Sequence, residues 1–208
     1  MRGCALTWPF CFGVRLGWAS AGTPNPSLEA ARARVFLLRG NAVVFSNGLG
    51  TLCGRLRRAG LWAEDLRCVG DRWVRRTLIA DHRAERLHCP IILVGHSCGG
   101  RYALFTAQEL ARWGIAVELI VCIDVAIPFA VSDNVRQAVH IYRSRRRIYP
   151  ARPLQAAQGS AARITNLDLD AADSPIAPDG LHHLNMTGSR SVQDWVMGRI
   201  LDQASRAA

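Results

Sequence analysis

Residues 91–100 of this chain read I-I-L-V-G-H-S-C-G-G, and they restrict its architecture more than any other stretch. The apolar, largely β-branched residues at the start predict a buried strand, and residues 101–113 continue with a helix-like pattern. The glycines between them allow a tight turn in which neighbouring backbones come close. A strand, a tight turn and a helix in this order expose a serine hydroxyl at the end of a sheet. This context predicts that Ser97 is a nucleophile, and the alternative is an incidental serine in a turn.

Strand-like apolar runs alternate with helical patterns along the rest of the chain. This alternation predicts an α/β fold with a mostly parallel sheet of about five to six strands, because near-continuous apolar strands must be covered by helices on both faces. In such sheets the active site lies at the carboxyl ends of the strands. The predicted strands cover residues 34–39, 63–68, 91–95, 117–124 and 162–167, and the predicted helices cover residues 49–59, 73–87, 103–113, 134–143 and 191–204.

Length and composition indicate one globular domain. A chain of 208 residues can bury a sizeable core, and a content of 50% hydrophobic and 20% charged residues is typical of a folded protein. We assign residues 1–30 to an N-terminal segment and residues 31–208 to the folded domain. Residues 23–27, which contain two prolines, are predicted to be the linker between them.

Residues 1–21 resemble a secretory signal, with an early arginine, an apolar middle and small residues at the end. Pro9 and Arg15 interrupt the apolar run, which is untypical of a signal and more so of a membrane span. Both localisations therefore stay open. The protein is exported, to the periplasm or the medium, if this segment acts as a signal, and is cytoplasmic otherwise. Membrane contact is expected only if the segment is retained.

The basic residues are all arginine, since the chain has 26 basic residues, no lysine and a net charge of +10. An arginine-rich surface for nucleic acid is one interpretation. We favour a compositional bias, because the arginines are spread along the chain and no nucleic-acid motif accompanies them; no nucleic-acid partner is expected. The cluster of Arg143, Arg145, Arg146 and Arg147 is predicted to be a solvated face, with contact to an anionic substrate or a membrane surface as the alternative.

The seven cysteines predict neither a metal site nor a disulfide framework. The sequence contains no C-x-x-C pair and no Cys/His cluster with the spacing of metal ligands. We therefore expect no metal and no organic cofactor.

A serine nucleophile needs a base, and the base needs an acid that orients it. Asp124 ends the predicted strand that follows the helix after Ser97, so it should lie at the same edge of the sheet, one strand over. A carboxylate there needs a partner, which is either an imidazole or the backbone N–H groups of a loop. His182 and His183 lie in a turn-rich stretch before the last helix. We prefer His183 as the base because it is nearer the helix start, with His182 as the alternative.

Acyl transfer builds negative charge on a carbonyl oxygen, which backbone N–H groups must meet. One donor should be the N–H of Cys98, directly after the serine at the start of a helix. The other should come from the loop after the first strand, where Gly40 lets the backbone turn inward. The N–H of Asn41 is the first choice there, and that of Ala42 is the alternative.

The order serine, aspartate, histidine, with V-G-H-S-C-G-G, C-I-D and H-L-N-M around the three residues, resembles the α/β-hydrolase family. The chain looks most like the small thioesterase- and lipase-like members, in which the acid follows the strand after the serine helix. In many other members the acid follows the next strand, and Asp168 and Asp170 would then be the candidates. We keep Asp124, because only about a dozen residues separate those two aspartates from His183, too few for an intervening helix and strand. The family often has His-Gly where this chain has Arg39-Gly40.

This resemblance implies a compact α/β-hydrolase fold and a serine hydrolase that cleaves a small-molecule ester or thioester through an acyl-serine intermediate. The alternatives are an acyltransferase on the same fold and a catalytically silent binding protein. Residues 134–150 are the segment expected to partly cover the cleft. Phe129, Val135 and Tyr142 are candidate wall residues, with core packing as the alternative for each.

The remaining histidines are given no catalytic role. His96, the residue before the serine, is expected to pack beside the turn. His82, His88 and His140 are expected to be structural or exposed to solvent.

Overall fold

The structure is a computed structural model that describes residues 26–27, 32–40, 46–67, 70–145 and 151–206. The predicted signal at residues 1–21 lies outside the described residues, as do Asn41, Ala42 and the arginines at positions 146 and 147. The first described element of secondary structure is the strand that begins at Arg34.

The described residues contain one parallel six-stranded sheet, with strands in the order β2-β1-β3-β4-β5-β6. This confirms the predicted α/β class. The chain runs outward from β1 to β2, returns to β3 on the other side, and then continues in that direction. The loops after β1 and β3 thus diverge at the point where active sites form in such sheets. The strands are β1 (Arg34–Leu38), β2 (Trp62–Leu66), β3 (Ile91–His96), β4 (Val117–Ile123), β5 (Val135–Tyr142) and β6 (Arg163–Asp168).

Helices cover both faces of the sheet, as the sequence predicted. Strand β1 is buried along its whole length. Val35 and Leu37 belong to the core cluster that contains α1 and α4, whereas Phe36 and Leu38 belong to the cluster that contains α2 and α3. A strand between two helical layers buries both of its faces, which explains the unbroken apolar runs in the sequence. The helices are α1 (Asn47–Arg58), α2 (Asp71–Arg83), α3 (Cys98–Ala111) and α4 (Arg190–Arg206), and a short 3₁₀ helix spans Met186–Gly188.

The prediction of a helix over residues 134–143 is wrong, because this segment forms the strand β5. Val135 and Val139 are four residues apart, a spacing that puts side chains on one face of a helix but also on one face of a strand. The strand lies between β4 and β6 and is buried on both faces from Ala138 to Tyr142, so that part lacks the polar alternation that would have identified it. The β–α alternation consequently stops at β4, since residues 124–134 link β4 to β5 without a helix.

The helices in the described part of the chain are either too short or too polar to cross a membrane.

Candidate active site

Ser97 occupies a strained turn between β3 and α3. Its φ of +56° lies in the left-handed region, which non-glycine residues rarely adopt. The turn is held by the Ser97 N–H, which donates to Ile123 O in β4 at 2.9 Å. Its close packing demands glycine, because a Cβ on Gly99 would lie 2.0 Å from Leu38 O. The structure therefore has the strand, tight turn and helix that the sequence pattern predicted around the serine.

Asp124 directly follows β4, the strand that pairs with β3. It also has a positive φ, of +48°, and its N–H donates to Ile141 O in β5 at 2.8 Å. The side chain is completely buried. A buried carboxylate is costly without a charged or hydrogen-bonding partner, so the groups it contacts define its role.

His183 provides that contact from the loop before α4. Its Nδ1 lies 2.7 Å from Asp124 Oδ2, and because a carboxylate oxygen accepts, Nδ1 carries the hydrogen. His182 is exposed and bonds within its own loop, where its N–H donates to Asn185 Oδ1 and its Nδ1 accepts from the Leu184 N–H. The structure thus brings His183, and not His182, to the carboxylate.

One cleft of about 280 Å³ contains the serine and the histidine in its wall. Its floor lies at the carboxyl ends of β3 and β4, as expected for a parallel sheet. Hydrophobic side chains of the segment after β4 form one side, and the start of α3 forms another. The lining residues are Ser97, Cys98, Arg101, Asp124, Val125, Ala126, Ile127 and His183.

The alternative acids, Asp168 and Asp170, have other partners. Asp170 Oδ1 accepts from Arg143 Nε at 2.9 Å, and the Arg143 guanidinium lowers the pKa of the Asp170 carboxyl. Asp168 Oδ1 accepts from the backbone N–H of Ser144 at 3.1 Å and of Asp170 at 3.0 Å. Both carboxylates therefore hold the end of β6 and the loop after β5. Arg143, the first arginine of the predicted solvated cluster, is part of this arrangement.

Solved structures with a similar fold include that of RedJ with a PEG molecule bound in the active site. It has a TM-score of 0.52 and 12% sequence identity, covering 89% of this chain and 99% of that one. A second structure of RedJ, the thioesterase from the prodiginine biosynthetic pathway in Streptomyces coelicolor, has a TM-score of 0.50 and 11% identity, covering 94% and 97%. One of the metagenome-derived lipolytic enzymes LipS and LipT has a TM-score of 0.50 and 11% identity, covering 85% and 95%.

The chain has the α/β-hydrolase fold. No protein-family model matches the sequence, and no curated protein matches it at a significant level. The similarity therefore lies in the arrangement of strands and helices, and the chemistry must be argued from the side chains of this chain.

In this α/β-hydrolase fold, the loop after β1 lies against the serine turn. The ideal Cβ position on Gly40 is 3.1 Å from Ser97 Cβ, so a larger residue would crowd the turn. Cys98 is the first residue of α3, where backbone N–H groups have no acceptor within the helix. Asn41, the other predicted oxyanion donor, lies outside the described residues, and its role stays a prediction.

His96, the last residue of β3, connects two loops near the serine turn, a role that sequence reasoning did not anticipate. Its Nε2 lies 2.9 Å from His183 O, and because a carbonyl only accepts, Nε2 carries the hydrogen. Its Nδ1 lies 2.8 Å from the hydroxyl oxygen of Ser46, and Ser46 Oγ accepts from the Gly40 N–H at 3.2 Å. One imidazole thus ties the loop that carries His183 to the loop after β1. The only sequence signal was a histidine next to the serine.

The predicted wall residues Val135 and Tyr142 are buried in β5, as in the core-packing alternative. Tyr142 stacks on His140, with ring centroids 4.8 Å apart. Phe129 is exposed and lies in the segment after β4. The described residues contain no group of three or more histidine, cysteine or acidic side chains that could hold a metal ion.

His140 is a buried histidine in β5, which agrees with the structural alternative, although the segment is a strand and not the predicted helix. Its Nε2 accepts from the Val125 N–H at 3.0 Å, which holds the residue after Asp124 in place. Burial lowers the pKa of His140 to about 4, although the charge of Asp124 opposes the shift. The ring is therefore neutral at physiological pH and supports the backbone beside the buried carboxylate.

We expect acid to destabilise the protein through His140. The folded-state pKa of about 4 lies below the ordinary value of 6.5, so between these values the unfolded chain binds a proton that the folded chain does not. The free energy of unfolding is thus unaffected by the titration of His140 above pH 6.5. It decreases as the pH falls towards 4, by up to about 3 kcal/mol. Urea unfolding at several pH values in this window measures the loss.

His140→Gln should flatten this pH dependence, because an amide oxygen can accept from Val125 without titrating. His82→Gln is the matched control, since His82 is exposed near the end of α2 and its removal should leave the pH dependence as in the wild type. Equal slopes for the wild type and His140→Gln would refute the assignment to His140.

Proposed function

We propose that this protein is a serine hydrolase that cleaves an ester or thioester through an acyl-serine intermediate. One observation carries the proposal: the Asp124–His183 pair, with its contact of 2.7 Å, lies in the wall of the cleft that also contains Ser97. A carboxylate that fixes an imidazole beside a serine is the arrangement that turns a hydroxyl into a nucleophile. The thioesterase and the lipolytic enzymes that share the fold agree with this class of substrate.

Each residue then has a defined role in the reaction. His183 takes the hydroxyl proton on Nε2 while Ser97 Oγ bonds to the acyl carbon, and Asp124 stabilises the imidazolium that forms. His183 returns the proton to the leaving alcohol or thiol as the bond to the acyl carbon breaks. Water repeats the sequence and releases the acid. The backbone N–H groups of Cys98 and Asn41 are the proposed donors to the oxyanion.

A fluorophosphonate probe tests the proposal, because it forms a bond only with an activated serine. We expect the purified protein to be labelled at Ser97 and the Ser97→Ala and His183→Ala variants to remain unlabelled. His182→Ala is the matched control, since it removes the neighbouring imidazole and should keep the labelling. A folded wild-type protein that is not labelled would favour the silent binding protein, and labelling lost only in His182→Ala would move the base to that residue.

A further inference from the structure

We propose that Arg101 binds an anionic group of the substrate, so that the preferred ester or thioester carries a carboxylate or phosphate near the scissile carbonyl. The proposal rests on the proposed function, which it deepens by naming a substrate class. Arg101 lines the cleft together with Ser97 and His183. It lies in the first turn of α3, and Ser97 is the residue that directly precedes this helix.

The Arg101 guanidinium is held in place by an aromatic ring. It lies over the Phe129 ring at 4.4 Å from the centroid, and Phe129 packs on Phe105 with centroids 6.2 Å apart. The Phe129 segment is itself tied to α3, because Gln108 Nε2 donates to Ala130 O at 3.1 Å. A guanidinium that stacks on a fixed ring loses less freedom when it binds a ligand.

A second arginine, Arg75, stacks on the same aromatic pair, and unlike Arg101 it has carboxylate partners among the described residues. Arg75 lies over Phe105 at 5.0 Å and has two carboxylate partners, Asp71 at 2.9 Å and Glu109 at 3.7 Å. Among the residues that the structure describes, no carboxylate pairs with Arg101. Both guanidinium groups therefore stack on a phenylalanine ring, but of the two only Arg101, in the cleft, can pair with the anionic group of a ligand.

Helix stability does not account for this arginine. A cation in the first turn of a helix opposes the helix dipole, and the first turn of α3 has no acidic residue to offset it. The same dipole and the guanidinium both favour an anion at this end of the cleft. A planar guanidinium binds carboxylate or phosphate through two parallel hydrogen bonds, which suits either source of the charge.

Two pairs of probes separate the sources of the anion. Mono-p-nitrophenyl adipate and p-nitrophenyl hexanoate differ by a carboxylate on the acyl chain. S-Hexanoyl thioglycolate and S-ethyl thiohexanoate differ by a carboxylate on the leaving group. For at least one pair, we expect Arg101→Gln to lower the anionic-to-neutral ratio of kcat/KM by about 10- to 100-fold. The affected pair assigns the charge to the acyl chain or to the leaving group.

Arg112→Gln is the control, because it removes the same charge from an exposed position at the end of α3, where Arg112 pairs with Glu109. It should leave both ratios within about twofold of the wild type, since exposed charges are strongly screened. Ratios that Arg101→Gln leaves unchanged in both pairs overturn the proposal.

A binding measurement keeps this proposal distinct from the proposed function. Calorimetry compares the affinity of Ser97→Ala, with and without Arg101→Gln, for S-hexanoyl thioglycolate and for mono-p-nitrophenyl adipate. We expect the second substitution to weaken one of these affinities by about 10-fold or more. Equal affinities overturn the anion site even if the wild type is labelled at Ser97. Weaker binding supports the anion site even if the wild type is not labelled at Ser97. In that case only the proposed catalytic role of Ser97 is refuted.

Discussion

Replacing Asp124 with asparagine is expected to lower kcat for a short p-nitrophenyl ester by about ten-thousand-fold, with little change in the fold. The carboxylate is completely buried and accepts the Nδ1 hydrogen of His183 at 2.7 Å. An amide has the same shape, but it carries no charge and its NH₂ group stabilises the tautomer with the hydrogen on Nε2. The imidazole would then be unable to take the proton of Ser97, and the cation formed on transfer would lose its partner.

The measurement is kcat on purified protein, with circular dichroism to verify that the variant is folded. Asp168→Asn is the matched control, because Asp168 was the alternative acid and contacts backbone N–H groups away from the cleft. It should keep kcat within about threefold of the wild type. A small loss in Asp124→Asn combined with a large loss in Asp168→Asn would reverse the assignment of the acid.

The second large effect concerns the buried ion pair between Arg39 and Asp65. Arg39→Met is expected to reduce the free energy of unfolding by about 3–5 kcal/mol, because it leaves a buried carboxylate without its counter-charge. Arg39 Nε donates to Asp65 Oδ1 at 2.8 Å, and its Nη1 donates to Asn47 Oδ1 at 2.9 Å. The pair thus joins the ends of β1 and β2 to the start of α1. Burial raises the pKa of the Asp65 carboxyl although the guanidinium opposes this shift, so the pair is costly to desolvate.

Removing both charges separates pairing from packing. The double variant Arg39→Met/Asp65→Leu should recover much of the lost stability, because no buried charge remains. Arg206→Met is the control, since Arg206 pairs with Asp202 on the exposed end of α4, where the change should be below about 0.5 kcal/mol. Urea unfolding measures all three variants. A loss below about 1 kcal/mol in Arg39→Met would contradict the role assigned to the pair.

The parallel sheet was predictable because β1, β3 and β4 are buried on both faces. Such strands appear in the sequence as apolar runs, and the tight turn after β3 appears as glycines around Ser97. The helix that replaced β5 in the prediction shows the limit of this reasoning. A four-residue spacing of valines fits one face of either element, and only the pairing of β5 with β4 and β6 distinguishes them.

The candidate residues Ser97, Asp124 and His183 could be proposed from the chain because each has a local signal. One lies in a glycine turn, one ends a strand and one lies in a loop before a helix. Their order also limited the choices. The preference for His183 over His182, and for Asp124 over Asp168, rested on sequence distances that carry little information about side-chain direction.

Side-chain environments depended on the tertiary structure alone. His140 gave no local signal and His96 gave only its position next to the serine, because the hydrogen bonds that they make join residues far apart in the chain. Arg101 is one of many arginines in the sequence, and only its neighbours in space, an aromatic ring and a cleft, set it apart. Periodicity records which face of an element is buried, and it therefore predicted the sheet and its helices. The charge partners, the tautomers of the histidines and the ligand contacts depend on which elements pack together. Only the tertiary structure shows these contacts.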